Sequence, residues 1–129
     1  MKILEPNIES VFNIQSKKQF EELSLQIFQF QASKNKVYKD FLQLLKINPT
    51  QISCIEEIPF MPISFFKSHK VVSKPNHEKV FKSSGTGNMV RSQHYVNSLE
   101  VYRQSFNKGF SHFYQDHKNF TFLAFCPLI

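Results

Sequence analysis

The segment best suited to chemistry is a short run of hydroxyl and glycine residues that follows the β-prone pair Val80 and Phe81. The run consists of Ser83, Ser84, Gly85, Thr86, Gly87 and Asn88. Glycines let a backbone approach a polyphosphate, and serine and threonine hydroxyls donate hydrogen bonds to phosphate oxygens. The run lacks the Gly-Lys-Ser/Thr ending of a Walker loop and has no GxGxxG pattern. It predicts phosphate binding, and an ordinary polar turn is the alternative.

Positive charge is concentrated around this run. The chain has a net charge of +6, from 16 Lys and Arg against 10 Asp and Glu. Residues 67–91 hold six cations against one acid, Glu78, and so carry a net charge of +5. The cations are Lys67, Lys70, Lys74, Lys79, Lys82 and Arg91. A basic segment of this kind favours an anionic partner, which could be a phosphate, a nucleic acid or an acidic protein.

Histidine and cysteine carry weaker signals. The 5 histidines have none of the spacings that common metal-ligand pairs use, so we predict no metal site in this chain. Cys54 and Cys126 form no CxxC pair, which excludes a disulfide scaffold and a zinc ribbon. Both cysteines are predicted to be structural thiols.

Length and composition indicate a globular chain. The 129 residues are 41% hydrophobic and 20% charged, which excludes a disordered protein and a membrane protein. No apolar run approaches the roughly 20 residues that a bilayer requires, and the amino terminus lacks the apolar stretch of a signal peptide. We therefore expect a cytoplasmic protein with no membrane span.

Hydrophobic periodicity predicts helices within residues 7–46. Asn7 and Ser16 are candidate N-caps, and Gln19 completes a capping box with Ser16. Behind that box, one helical face is predicted from steps of three and four, with Leu25 and Phe28 widening it: Phe20, Leu23, Ile27 and Phe30. A second helix after Asn35 is predicted to pack a face of Val37, Phe41, Leu44 and Leu45. Pro49 is predicted to end that helix, because proline disfavours helix in the residue before it.

Shorter elements are predicted after Pro49. Residues 64–67 favour one helical turn, and Val71–Val72 and Val80–Phe81 favour strands. A longer helix is predicted from Asn97, with this apolar face: Leu99, Tyr102, Phe106, Phe110 and Phe113. Gly109 within it suggests a close neighbour.

The last segment, Phe120–Phe125, is almost continuously apolar and predicts a strand covered on both faces, as in a parallel sheet. We expect an α/β fold, with a helical segment at residues 1–48 and the start of an α/β domain at residues 49–129. No later residues exist to pair with that strand. We therefore expect either self-association through it or, preferably, an amino-terminal piece of a longer protein.

Two segments together resemble a known family. Residues 58–69, IPFMPISFFKSH, precede residues 80–86, VFKSSGT. This order resembles the acyl-protein synthetase and phenylacetate–CoA ligase-like acyltransferase branch of the adenylate-forming enzymes, in which an IPFLPISFFK-like segment precedes an SSGTTG loop. Residues 92–96 and the aromatic helix ending at Tyr114 are also similar. The resemblance runs from about residue 56 to residue 127 and extends, less distinctly, over the amino-terminal helices. It implies that the chain contains the first strands and a helix of the large domain of such an enzyme.

The resemblance implies acyl activation with ATP and Mg²⁺. A carboxylic acid such as a fatty acid becomes an acyl-adenylate, and its acyl group then passes to a thiol of coenzyme A, a carrier protein or an enzyme cysteine. Carried over residue by residue, the residues that contact the triphosphate are Ser83, Ser84, Gly85 and Thr86. Gly87 and Asn88 stand where the family has Thr and Gly. Lys82 and Arg91 are electrostatic helpers on grounds of charge alone.

The resemblance also indicates what this chain does not contain. The family's later motifs, which border the adenine and acyl pockets and hold the ribose, have no counterpart among these residues. No cysteine matches an acyl-accepting residue. We therefore expect the 129-residue chain to be unable to complete catalysis alone, and we assign no catalytic residue.

Other function classes stay open. One is a non-catalytic module that binds a protein partner or a nucleotide. Another is a basic nucleic-acid binder, since the lysines are interleaved with Phe65, Phe66 and Phe81. We rank the nucleic-acid binder last and expect no nucleic-acid partner, because core packing explains these aromatic residues better.

Overall fold

The computed structural model describes residues 5–84 and 90–123. Contacts divide the chain into one unit that ends at Leu99 and a second that begins at Glu100. The helices are α1 (Ile8–Phe12), α2 (Lys17–Lys34), α3 (Lys36–Leu44), α4 (Phe65–Ser68) and α5 (Leu99–Tyr114). The strands are β1 (Lys79–Lys82) and β2 (Gln93–Val96), and short 3-10 turns occur at Pro49–Gln51, Ile55–Glu57 and His117–Asn119. This mixture of helices and a small sheet is consistent with the predicted α/β class.

The first three helices begin at side-chain caps. Ser16 Oγ accepts the Gln19 N–H at 3.2 Å, as the predicted capping box requires. The Gln19 side chain returns to the N–H of Gln15, at 2.8 Å, instead of that of Ser16. Asn7 and Asn35 also accept hydrogen bonds from N–H groups of the helices that follow them. The predicted helix starts are therefore confirmed.

The core of the first unit lies between α2 and α3. It is built from Phe28, Ala32, Tyr38 and Leu42, with partly buried neighbours at Phe41, Ile47, Ile52, Ile58 and Met61. Phe28 and Tyr38 meet edge to face at 6.1 Å between ring centroids. The core therefore includes residues on both sides of position 48. The predicted division of the chain at that position stays a prediction.

The predicted apolar faces of α2 and α3 are only partly correct. Phe20 is 51% exposed, and Leu44 is 81% exposed. The residues of α3 that are buried are Tyr38 and Leu42, one helical turn apart. Tyr38 can be buried because its hydroxyl donates to the Pro59 carbonyl at 2.7 Å. A prediction based only on apolar residues does not identify the buried face of α3, because that face includes Tyr38.

Helix α3 ends before the predicted proline stop. Ile47 N–H donates to the Leu42 carbonyl and Lys46 N–H to the Gln43 carbonyl, both at 3.0 Å. Lys46 has a φ of 56°, in the left-handed region. These features define a Schellman motif, with Ile47 returning to the core cluster. The chain has therefore left the helix before it reaches Pro49, which begins a 3-10 turn.

Strands β1 and β2 form an antiparallel pair, with a register from Lys79 opposite Val96 to Lys82 opposite Gln93. The strand predicted at Val80–Phe81 is confirmed, and so is the helical turn that is now α4. The strand predicted at Val71–Val72 is wrong, because that segment is irregular. The sheet in the described part of the chain contains no parallel pair.

The structure of the second unit departs from the sequence prediction more than that of the first unit. Helix α5 forms as predicted, but none of its described residues is buried, and Phe106 and Phe113 are 56% and 77% exposed. An added Cβ at Gly109 would meet no described atom within 4 Å, so the described residues do not include the predicted close neighbour.

The prediction of a carboxyl-terminal strand is also wrong for the residues of that segment that the structure describes. Residues 120–123 are irregular and exposed, and the remaining two residues of the predicted strand, 124 and 125, lie outside the described residues. A continuous apolar run becomes a strand only if a neighbouring strand satisfies its backbone groups. The described part of the chain supplies no such strand to residues 120–123. Phe120 and Phe122 instead contact Phe110, each at 5.5 Å between ring centroids. No described helix is both long enough and apolar enough to cross a bilayer.

Candidate functional site

The predicted phosphate-binding run starts where β1 ends, and its first residue is tied to the strand that follows. Ser83 N–H donates to the Ser92 carbonyl at 3.0 Å. Ser92 N–H donates to Ser83 Oγ, also at 3.0 Å. This pair continues the register of β1 and β2 by one residue, since Lys82 lies opposite Gln93. The two ends of the connection between the strands are therefore held together by a reciprocal pair of serines.

The residues next to this serine pair face solvent. Ser84 and Arg91 are exposed, as are Lys82 and Val90. Gly85, Thr86, Gly87 and Asn88 lie outside the described residues, so their predicted phosphate contacts stay predictions. Exposed hydroxyl and guanidinium donors suit a phosphate better than an apolar ligand. The described residues at the two ends of the connection are thus polar or basic and accessible, as the predicted phosphate contact requires.

The other predicted cations have mixed roles. Lys74 pairs with Glu5 at 2.7 Å, and this pair is half exposed. Lys70 Nζ lies 5.3 Å from the ring centroid of Tyr95, in a cation–π arrangement. Tyr95 occupies β2, so this contact brings Lys70 to the hairpin. Lys67, Lys79 and Lys82 are exposed. The basic segment is therefore a surface feature of the first unit.

The first unit contains an apolar groove of about 560 Å³. One side comes from α2 and α3, through residues such as Phe28 and Tyr38. Further lining comes from the IPFMP segment, α4 and β2, through residues such as Met61, Phe66 and Tyr95. This volume is within the range of small-molecule sites, which are mostly apolar with a few polar groups. Sequence reasoning missed the groove, because its lining comes from segments far apart in the chain.

Polar groups at the groove are largely engaged with one another. The Gln31 Oε1 atom accepts the Ser73 hydroxyl at 2.7 Å and the Asn35 side-chain N–H at 3.3 Å. Asn97 donates from its side chain to the Asn76 carbonyl at 2.5 Å. These bonds tie the segment before β1 to α2 and to the end of β2. They hold the walls of the groove in place without adding charge to its interior.

Cys54 does not have the environment of a nucleophile. Ser53 and Cys54 donate their N–H groups to Glu57 Oε2 at 2.9 Å and 3.4 Å. Those bonds lower the pKa of the Glu57 carboxyl. Desolvation raises the pKa of the Cys54 thiol above its ordinary value, and the charge of Glu57 adds to this rise. A thiol whose pKa is raised is a poor nucleophile at neutral pH. Cys54 therefore fits a structural role better than that of an acyl acceptor.

The described histidines contact aromatic rings, and His69 Nδ1 also forms a 2.8 Å hydrogen bond with Ser68 Oγ. His77 meets Tyr95 edge to face at 5.0 Å, and His94 lies 6.0 Å from Phe66, both measured between ring centroids. Among the residues that the structure describes, no three side chains of His, Cys, Asp or Glu come together in a group that could hold a metal ion.

A comparison with known families gives a match that covers most of the chain. The family model described as "Acyl-protein synthetase, LuxE" matches residues 6–118. No curated protein and no solved structure has significant similarity to the chain. The matched range contains both the proline-rich segment and the serine–glycine run that carried the resemblance. Closer placement among phenylacetate–CoA ligase-like or adenylate-forming enzymes stays a prediction. The chain belongs to the LuxE acyl-protein synthetase family.

Proposed function

We propose that this chain is the part of an acyl-activating enzyme that binds the triphosphate of ATP and an apolar acyl chain. The observation that carries the proposal is the family match over residues 6–118. In such a reaction ATP, with Mg²⁺, supplies the α-phosphorus that a carboxylate oxygen attacks, which gives an acyl-adenylate and pyrophosphate. Transfer of the acyl group to a thiol of coenzyme A, a carrier protein or an enzyme cysteine, with release of AMP, completes the sequence.

The role of this chain would be to hold the leaving phosphates. Charge accumulates on the β- and γ-phosphates as the bond to the α-phosphorus breaks, so fixed donors there lower the barrier. Ser84 is exposed and begins the run of hydroxyl and glycine residues, and Lys82 lies two residues before it at the end of β1. We propose that the run from Ser83 to Asn88 contacts the triphosphate and that Lys82 contributes charge.

The test of the nucleotide role is MgATP binding by the 129-residue chain, measured by titration calorimetry. Ser84→Ala combined with Thr86→Ala should weaken binding about tenfold or more, because hydrogen bonds to charged groups are strong. The matched control is Ser111→Ala combined with Thr121→Ala, which removes the same hydroxyls from exposed positions of the second unit. Equal affinity of the two double variants, or no binding by the unaltered chain, would refute the nucleotide role.

We also propose that the apolar groove accommodates the chain of a fatty acid. Its lining is predominantly hydrocarbon, and burial of each methylene contributes about 0.8 kcal/mol. Phe60 lines the groove and is 80% exposed, so Phe60→Asp should place a charge in the groove without disturbing the core. Binding of a fluorescent long-chain fatty acid should weaken at least tenfold. Phe113→Asp, at an equally exposed position of α5, should leave that binding unchanged; a similar loss in both variants would reject the groove as the acyl site.

A second candidate function is a protein-interaction module. The exposed aromatic residues of α5 favour it, because aromatic side chains are enriched in the centres of interfaces. This function predicts a stable complex with another protein and little affinity for ATP. MgATP calorimetry on the unaltered chain therefore separates the two functions.

A further inference from the structure

The apolar groove of the first unit has a lining side chain that can carry a positive charge, the imidazole of His94 in β2. The described lining residues of the groove include no Lys, Arg, Asp or Glu. His94 is also exposed. Ligand sites are typically apolar, with a few polar groups that fix the orientation of the ligand. His94 has the position and the chemistry of such a group.

Aromatic packing holds the ring of His94 in place. Its centroid lies 6.0 Å from that of Phe66, which also lines the groove, and the two rings are inclined by 38°. Across the strand pair, His94 lies opposite Phe81. Among the described residues, none forms a hydrogen bond with either ring nitrogen of His94. An imidazole donates one N–H when neutral and two when protonated, so a donor is available at the groove.

Other polar side chains of the lining are already engaged with the protein. Four of them donate to protein oxygens: Tyr38, Ser73, Tyr95 and Asn97. A carboxylate can only accept hydrogen bonds, so it needs a donor that is not already used. His94 offers one, and its charged form would also attract the negative charge.

We infer that His94 binds the carboxylate of the acid whose hydrocarbon chain fills the groove, and that it makes the groove prefer acids to neutral compounds of the same chain length. That the ligand is an acyl chain rests on the proposed function. The assignment of its head group to His94 rests on the lining of the groove. Lys70 lies against the ring of Tyr95, the next residue of β2, and adds positive charge to this strand. His94 is thus a specificity-determining residue.

The position of His94 along β2 agrees with this role. His94 lies two residues after Ser92, which corresponds to about 7 Å along a strand. Ser92 pairs with Ser83, where the predicted phosphate-binding run begins. A carboxylate at His94 would therefore lie near the end of that connection, as a reaction between the carboxylate and a nucleotide requires.

The test compares decanoate with decanol, measured by displacement of a fluorescent fatty acid from the 129-residue chain. His94→Phe should weaken decanoate binding about fivefold, because hydrogen bonds to charged groups are strong, and should leave decanol binding unchanged. Phenylalanine keeps an aromatic ring beside Phe66 and removes only the donor. His94→Gln keeps an N–H donor and should retain most of the affinity for decanoate.

His77→Phe is the matched control. His77 is also exposed and also packs against an aromatic ring, that of Tyr95, but it is not among the described residues that line the groove. This variant should bind both compounds as the unaltered chain does.

The two compounds separate this inference from the proposed function. Unchanged decanoate affinity in His94→Phe would overturn the inference and leave the groove as the acyl site. An equal loss of decanoate and decanol in His94→Phe would also overturn it, because that result shows a packing role without selection of the head group. If neither compound displaces the fluorescent fatty acid from the unaltered chain, the acyl site and the role of His94 both fail.

Discussion

The carboxylate of Glu78 accepts a 2.8 Å hydrogen bond from the backbone N–H of Leu99, 21 residues later in the chain. Leu99 is the first residue of α5, so its N–H has no partner within the helix. The negative charge also complements the positive end of the helix dipole. Glu78 N–H in turn donates to the Val96 carbonyl at 2.9 Å. Glu78, the residue just before β1, therefore caps the first N–H of α5.

Replacement of Glu78 by alanine should loosen the first turn of α5. Loss of an N-terminal capping acceptor costs about 1 kcal/mol. Hydrogen exchange at the Leu99 amide should be several times faster in Glu78→Ala. Glu100→Ala is the control, because it removes a first-turn acid that pairs with Arg103 but does not cap Leu99. Equal exchange rates at Leu99 in the two variants would contradict the capping role.

Replacement of Lys46 by glycine should stabilise the end of α3. Lys46 has a φ of 56°, which costs a non-glycine residue about 1–2 kcal/mol, and the greater entropy of unfolded glycine offsets roughly half of that. We expect the free energy of unfolding in urea to rise by about 0.5 kcal/mol. Lys39→Gly, inside the same helix, should instead lower it by about 1 kcal/mol. A destabilised Lys46→Gly variant would argue against the Schellman motif.

Replacement of Gly109 by alanine should also raise stability. Gly109 lies within α5, and an added Cβ would meet no described atom within 4 Å. Alanine in a helix interior is favoured over glycine by about 1 kcal/mol. The helical circular dichroism signal of α5 should persist to a higher temperature. A lower melting temperature would instead reveal a close neighbour of α5 at this position.

Tyr38 should make the stability of the first unit sensitive to alkaline pH. Burial raises the pKa of its phenol above the ordinary value of 10.0. Because the unfolded phenol ionises first, this contribution is fully present below about pH 10 and is lost as the pH rises towards the folded pKa.

Tyr38→Phe should flatten this alkaline decline and lower the free energy of unfolding at neutral pH by about 1 kcal/mol, through loss of the bond to the Pro59 carbonyl. The measurement is urea unfolding at pH 8 and at about pH 11. Tyr102→Phe, at a residue that is 44% exposed, is the control, and its free energy of unfolding should fall between the two pH values as much as that of the unaltered chain. If the free energy of unfolding of Tyr38→Phe falls as much as that of the unaltered chain, groups other than Tyr38 cause the alkaline loss of stability.

Local signals in the sequence were enough to predict the helix starts, β1 and the family. Caps such as Ser16 act through hydrogen bonds to residues two or three positions away, so their effect can be deduced from neighbouring letters. The helical period likewise predicts α5. The proline-rich segment and the serine–glycine run led to the correct family for the same reason, because each is a contiguous pattern.

The tertiary structure decided which faces are covered and which segments pair. Tyr38 is buried in the core, whereas Leu44 is exposed, because the Tyr38 hydroxyl donates a hydrogen bond to the Pro59 carbonyl 21 residues away. The apolar groove and the pairing of Ser83 with Ser92 likewise join residues that no local pattern relates. Strand β2 escaped prediction, and residues 120–123 were wrongly predicted as a strand, because strand formation depends on a hydrogen-bonded neighbour. The sequence shows how apolar a segment is, but the residues that contact the segment are determined by the tertiary structure.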